Sequence, residues 1–329
     1  MDDHNGIASD QYRTVSPRTP YNRLNANEIR IVDILPGGFD DPIQIALQTV
    51  NLTMNPSYEA LSYVWNPTDG SIDPDTQPDI ITIPEHNNFR IDATPNLACA
   101  IRHLRQNCDV RTMWIDAICI NQGNIEERNH QVALMSEVYS KATLVIIWLG
   151  PSIVGLDFDT RMPTPGDGRV FKNSQFLLII DRLFKRDWFF RVWVAQEMAL
   201  SPQDPRVYCG RSSTSWSRLS SFISRTNSWY CQREDYSLTV FDDFRSVPQK
   251  FRNMGKHNSE PIMHEDVLTI IVGWTDIRAI GRQASFPEQF ARMSKMQASD
   301  CRDRVYGILG MCTFCLLYTS LMARGRRVD

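Results

Sequence analysis

Residues Met113-Trp-Ile-Asp-Ala-Ile-Cys-Ile120 are almost continuously apolar, and the expected fold follows from this run. An apolar run without alternation is typical of a strand that helices cover on both faces of a sheet. Residues 58–65 and 143–149 have the same character, and amphipathic helical patterns separate the three runs. The sequence therefore predicts three buried strands in the middle of the chain.

The order of elements between residues 58 and 209 predicts the fold class. Strand and helix patterns alternate, which predicts an α/β protein with a doubly wound, mainly parallel sheet. We expect the strand centres near Leu61, Ile115 and Ile146. Ligands in such sheets bind outside the carboxyl ends of the strands, so any site is expected there.

Composition and charge exclude several classes of protein. The chain has 329 residues, of which 42% are hydrophobic and 22% charged, and these values are typical of a globular protein rather than a disordered or coiled-coil chain. The net charge of −3 gives no overall attraction to nucleic acid or to an anionic membrane. The apolar run at residues 144–149 is far shorter than the ~20 residues of a membrane span. We therefore expect neither nucleic acid nor a membrane as a partner.

The beginning of the chain and the cysteines indicate a location. The first residues are polar and acidic and lack the pattern of a secretory signal. The eight cysteines are therefore expected to be reduced thiols of a cytoplasmic protein.

Common motifs for cofactors and metals are absent from the sequence. It contains no G-x-G-x-x-G after a strand, no P-loop and no H-E-x-x-H, which argues against an ordinary Rossmann or P-loop enzyme. Asp73 begins a short acidic run, but Pro78 stands where a calcium loop needs glycine. Cys312 and Cys315 have no second cysteine pair to complete a zinc site. No metal and no certain cofactor are predicted.

Three motifs carry a resemblance to a known family: Ala60–Trp65, Trp114–Gln122 and Arg191–Glu197. Together with the helix pattern Glu127–Ala142 and the later Asp303–Leu309, they closely resemble the fungal heterokaryon incompatibility (HET) domain. The resemblance implies a role in nonself recognition, in which such domains trigger the death of fused incompatible cells.

The HET family is also distantly similar to Toll/interleukin-receptor (TIR) domains, which have doubly wound sheets and assemble with one another. This similarity implies self-association, or association with another incompatibility protein. Some TIR domains cleave NAD at the nicotinamide glycosidic bond, so an NAD(P) glycohydrolase, with NAD as its substrate, is one alternative. A non-catalytic interaction module is the other.

The resemblance divides the chain into segments. The expected boundaries are 1–22 for a flexible tail, 23–57 for N-terminal strands packed on the core, 58–210 for the HET domain, 211–311 for a mostly helical extension, and 312–329 for a tail that a misread gene model would also explain. The loop at residues 152–172 is rich in proline and glycine and is expected to be poorly packed.

Glu197 is the candidate catalytic residue. Catalytic TIR domains carry their essential glutamate in a Trp-Cys-x-x-Glu element, and Trp193 and Glu197 have the same spacing, although Val194 stands where cysteine is common. Residues four apart share a helix face, so Trp193 would lie beside Glu197. A neighbouring aromatic ring removes water from a carboxyl and so raises its pKa. A carboxylate can also stabilise the oxocarbenium-like state through which a glycosidic bond is cleaved. The alternative is a structural ion pair with an arginine at the helix end.

The other candidate ligand-binding residues follow the expected strands. Asp116 lies inside the apolar run, where a carboxylate must be paired or hydrogen-bonded; it is either a site residue or a structural carboxylate bonded to Arg128 or a loop amide. Asn121 and Gln122 either bind the polar edge of a ligand or form a turn. Trp65 either walls a pocket, with Trp193 nearby, or belongs to the core.

Overall fold

A computed structural model of the chain describes residues 19–158, 179, 182–222, 296, 303, 305 and 307. Four of the expected segments lie largely or wholly outside the described residues: most of the tail at 1–22, most of the loop at 152–172, most of the extension at 211–311, and all of 312–329. At the end of the expected tail, Pro20 is buried and Tyr21 is half-buried against the domain.

The described residues form an α/β fold. The strands are β1 (Glu28–Ile34), β2 (Ile43–Asn51), β3 (Glu59–Ser62), β4 (Asp79–Ile83), β5 (Phe89–Ala93), β6 (Arg111–Trp114), β7 (Leu144–Trp148), β8 (Arg206–Cys209) and β9 (Ser212–Ser215). The helices that concern the site are α1 (Pro95–Leu104), α2 (Asp116–Cys119), α3 (Ile125–Lys141) and α4 (Val192–Ala199), and residues 182–184 and 216–222 are also helical. Helical turns at Leu52–Met54, Pro84–His86 and Asp187–Phe190 join them.

The strands build one mixed sheet in the order β5-β4-β2-β1-β6-β3-β7-β8-β9. The pairs β2–β4, β3–β6, β3–β7 and β7–β8 are parallel, and the other four pairs are antiparallel. The expectation of a mainly parallel sheet is therefore wrong. Three of the antiparallel pairs join strands that follow each other after a short connection, and such connections favour antiparallel pairing.

The parallel centre of the sheet has the expected alternation of strands and helices. Its order is β6-β3-β7-β8, so the first strand of the series lies between the second and the third. This is the beginning of the flavodoxin-like doubly wound order. Leu61 and Ile146 lie in strands β3 and β7, as predicted, and the structure pairs them opposite each other. Helix α4 packs on β3 and on α3, so both helices lie on one face of the sheet.

The apolar run at residues 113–120 is not one strand. Strand β6 ends at Trp114, and the next residues form the single helical turn α2, in which the Cys119 amide donates to the Ile115 carbonyl at 2.7 Å. Asp116 is the first residue of this turn rather than a residue inside a strand. A continuous apolar run cannot distinguish a buried strand from a buried helical turn, which is why the sequence prediction failed here.

The two long helices begin where side chains cap them. Thr94 accepts the Leu97 amide of α1 at 3.3 Å, and Asn124 accepts the Glu127 amide of α3 at 3.1 Å. Glu127 does not complete a capping box, because its carboxylate accepts the Asn121 amide at 2.8 Å and pairs with Arg30. None of the described helices is long and apolar enough to cross a membrane.

Arg30 fixes the junction between α2 and α3 from inside the core. It is 1% exposed and pairs with Glu127 at 2.5 Å. It also donates to the Cys119 carbonyl at 3.1 Å, and the Tyr21 ring covers its guanidinium group. Tyr21 in turn donates to the Ile118 carbonyl at 3.0 Å. These contacts hold α2, which carries Asp116, in one position.

Candidate functional site

A group of polar side chains lies at the carboxyl ends of β3 and β6, beneath α4. We call it the carboxylate cluster, and its members are Ser62, Tyr63, Trp65, Asp116, Tyr139, Arg191 and Glu197. The position agrees with the general rule that sites of doubly wound sheets lie at the carboxyl ends of the strands.

Asp116 is held by donors on several sides. The Trp65 indole nitrogen donates to both carboxylate oxygens, at 3.1 and 3.0 Å, and the Ala117 amide donates to one of them at 2.7 Å. Burial raises the pKa of Asp116, and the nearby charge of Arg191 opposes that shift. The amide partner therefore belongs to the helical turn α2 itself and not to a loop, and the nearby positive charge belongs to Arg191 and not to Arg128.

Glu197 is the most deeply buried carboxyl of the cluster, with 6% of the residue exposed. Burial raises its pKa to about 7, against the opposing charge of Arg191 and the nearby Ser62 hydroxyl. One of its oxygens is buried without a hydrogen-bond partner among the described residues. A carboxyl with such a pKa exchanges its proton near neutral pH, which is the property that a general acid or base requires.

Arg191 joins the two acids to strand β3. Its guanidinium group donates to the Tyr63 carbonyl at 2.7 Å, and its charge lowers the pKa of both Asp116 and Glu197. The charge of Asp116 acts in the opposite direction and raises the pKa of Glu197, because two like charges close together disfavour ionisation of both groups. Glu197, with its pKa raised to about 7, is the carboxyl of the cluster that gains or loses a proton near neutral pH.

Three hydroxyls complete the floor of the cluster. Tyr139 of α3 donates to the Leu61 carbonyl at 3.0 Å, and Ser62 accepts the Trp188 indole at 2.8 Å. Burial raises the pKa of Tyr63 well above its usual value, and its hydroxyl faces Asp116 without completing a hydrogen bond. Sequence reasoning missed these hydroxyls, although Tyr63 and Tyr139 lie within the motifs quoted above and could have been found there.

The remaining predicted residues have different surroundings. Gln122 donates to the backbone carbonyl of Asp116 at 3.0 Å and so supports the cluster from outside. The Asn121 side chain accepts the Gly123 amide at 3.2 Å and forms the turn between α2 and α3. Trp193 lies one helical turn before Glu197, is half-buried and packs on the hydrophobic core. Trp65 also packs on the core while it binds Asp116.

A second set of hydrogen bonds holds the loop after Trp65 against the turn before Arg191. The Thr68 hydroxyl donates to the Asp187 carboxylate at 2.9 Å, and the Asp187 amide donates to the Asp69 carboxylate at 2.8 Å. These bonds hold Trp65, before the loop, and Arg191, after the turn, in place within the carboxylate cluster.

Among the described residues, no group of three or more His, Cys, Asp or Glu side chains is arranged to hold a metal ion.

The chain is similar to proteins of fungal incompatibility. Residues 58–197 match the family model "Heterokaryon incompatibility protein (HET)". The chain is also 26% identical, over an alignment of 352 residues, to "Heterokaryon incompatibility protein 6, OR allele" of Neurospora crassa. That alignment covers 87% of this chain and 47% of the relative, so the chain spans about half the relative's length. No solved structure gave a significant match.

Proposed function

We propose that this chain is a HET-domain protein of fungal nonself recognition, which signals the death of incompatible fused cells from the cytoplasm. The observation that carries the proposal is the family match, because residues 58–197 contain every member of the carboxylate cluster. The similarity to an incompatibility protein of Neurospora crassa supports the same role.

The proposal includes TIR-like self-association, or association with another incompatibility protein, as the means of signalling. The strand order β6-β3-β7-β8 supports a doubly wound centre for such a domain, since it begins the flavodoxin-like order. The antiparallel strands on both sides of this centre are additions to such a domain.

Inducible expression in a fungal host tests the role. We expect growth to stop after the full chain is induced, and to continue after induction of an unrelated protein at the same abundance. Normal growth with abundant, folded chain would contradict the proposal.

A second candidate function is hydrolysis of NAD, and Glu197 is the observation that favours it. Its pKa of about 7 and its unpartnered oxygen suit a group that faces a reacting atom. In this reaction the bond between ribose C1′ and the nicotinamide nitrogen breaks, and its electron pair leaves with nicotinamide. Water then adds to C1′ and loses a proton, which gives ADP-ribose, nicotinamide and a proton.

Incubation of the purified chain with NAD tests this second function. We expect free nicotinamide from the wild type and none from Glu197→Gln, which keeps the size of the side chain but removes its charge. Glu126→Gln is the matched control, because Glu126 is exposed. Growth arrest without NAD loss would instead favour signalling by association, and a folded chain that causes neither growth arrest nor NAD loss would be a non-catalytic interaction module.

A further inference from the structure

Strand β5 ends the sheet with an unpaired edge. It pairs with β4 on one side, and no strand of the described ranges pairs with its other side. Such an edge presents free N–H and C=O groups, which can pair with a strand of another molecule. Phe89 and Ile91 pack on the core, whereas Arg90 and Asp92 point from the opposite face and are exposed.

We propose that two copies of this chain pair their β5 strands antiparallel, about a two-fold axis at Ile91, and so join their sheets. This inference rests on the self-association in the proposed function and names the surface that makes it. The contact is isologous, because the same five residues serve both copies, and it closes as a dimer.

Charge on β5 selects the register of this pairing. Side chains alternate between the two faces of a strand, and residues that pair across the interface must point to the same face. The allowed registers therefore differ from one another by steps of two residues. The central register places Arg90 of each copy opposite Asp92 of the other. The neighbouring registers place Arg90 opposite Arg90, or Asp92 opposite Asp92, and like charges directly opposite each other are destabilising.

The charges that would pair across the axis are free to do so. Within the part of the chain that the structure describes, neither Arg90 nor Asp92 makes an ion pair. On β4 their neighbours on the same face are Thr82 and Ile80, which carry no charge. Arg90 and Asp92 thus have no charged partner within the described residues. In the proposed dimer, each Arg90 lies opposite the Asp92 of the other copy, which gives two ion pairs.

Charged residues on an edge strand can also serve to prevent pairing. The two roles predict different results when the charges are exchanged. If the charges only protect the edge, their order along the strand has no effect on association. If they specify a dimer, each single reversal creates like charges across the axis, and a double reversal restores opposite charges.

Sedimentation of the purified full chain over a range of concentrations tests the proposal. We expect the wild type to dimerise as its concentration rises, and each of Arg90→Asp and Asp92→Arg to weaken this association at least tenfold. The double variant Arg90→Asp/Asp92→Arg should restore it, and an equimolar mixture of the two single variants should form the mixed dimer. Circular dichroism of each variant verifies that it is folded.

Several outcomes would overturn the inference. A wild-type dimer that both single variants retain would place self-association on another surface, and the proposed function would stand. Two weakened single variants without recovery in the double variant would exclude the pairing of Arg90 with Asp92. A wild type that stays monomeric at every concentration would remove both this interface and the proposed self-association, whatever the growth assay shows.

Discussion

The Glu197 carboxyl illustrates how the fold changes the chemistry of a single residue. In water it would be ionised at neutral pH, but burial beneath α4 raises its pKa from 4.5 to about 7. The folded state therefore binds the proton more tightly than the unfolded state does. Stability from this group is greatest below about pH 4.5, falls as the pH rises to about 7, and is constant above that.

Substitution Glu197→Gln should remove this dependence on pH. The shift in pKa corresponds to about 3 kcal/mol of unfolding free energy, so the variant is expected to gain up to that amount over the wild type at pH 8 and to equal it near pH 4.5. Urea unfolding at the two pH values measures the difference, with Glu126→Gln as a control that changes neither. A variant that is equally destabilised at both pH values would show that Glu197 is a charged structural group.

Substitution Trp65→Phe should expose the dependence of Asp116 on its donor. The variant keeps an aromatic ring but leaves the Asp116 carboxylate without the two indole hydrogen bonds. Removal of one partner of a buried polar group costs about 1–3 kcal/mol. Thermal unfolding at pH 7 measures this loss. Trp193→Phe is the matched control, because Trp193 is half-buried and no hydrogen bond involves its indole among the described residues; equal losses in both would argue against the role of Trp65.

Among the single elements, strands β3 and β7 were predicted from the sequence, whereas the helical turn α2 was not. The apolar pattern located β3 and β7, because periodicity is a local property of the chain. It placed Asp116 inside a strand, because burial alone does not distinguish the two conformations. The position of α2 depends instead on Arg30, which lies 89 residues before Cys119 in the chain.

Neighbouring residues of α3 offer a test of this anchor. Glu127→Ala removes the partner of the buried Arg30 and should lower the free energy of unfolding by about 3–5 kcal/mol. Glu126→Ala makes the same change at an exposed position of the first turn and should cost less than about 1 kcal/mol. Urea unfolding compares them. Similar stabilities of the two variants would mean that the pair with Arg30 does not anchor α2.

In the molecule as a whole, the sequence indicated where the candidate site would lie, but it did not indicate all of the residues that form it. The carboxyl ends of β3 and β6 and the helix of Glu197 meet as the doubly wound order requires. The mixed sheet was not predicted, because the sequence does not show that β1 pairs with β6, a strand far along the chain, and so adds the N-terminal strands to the parallel centre. The hydroxyl floor was not predicted for the same reason: Tyr139 reaches Leu61 across 78 residues of sequence.

Growth arrest of a fungal host shows whether the carboxylate cluster is needed for the proposed incompatibility signalling. The comparison is between Glu197→Gln and Glu126→Gln, each induced to the same abundance and each verified as folded. We expect Glu126→Gln to stop growth as the wild type does, and cells with Glu197→Gln to continue to grow. Equal arrest by the two variants would contradict it.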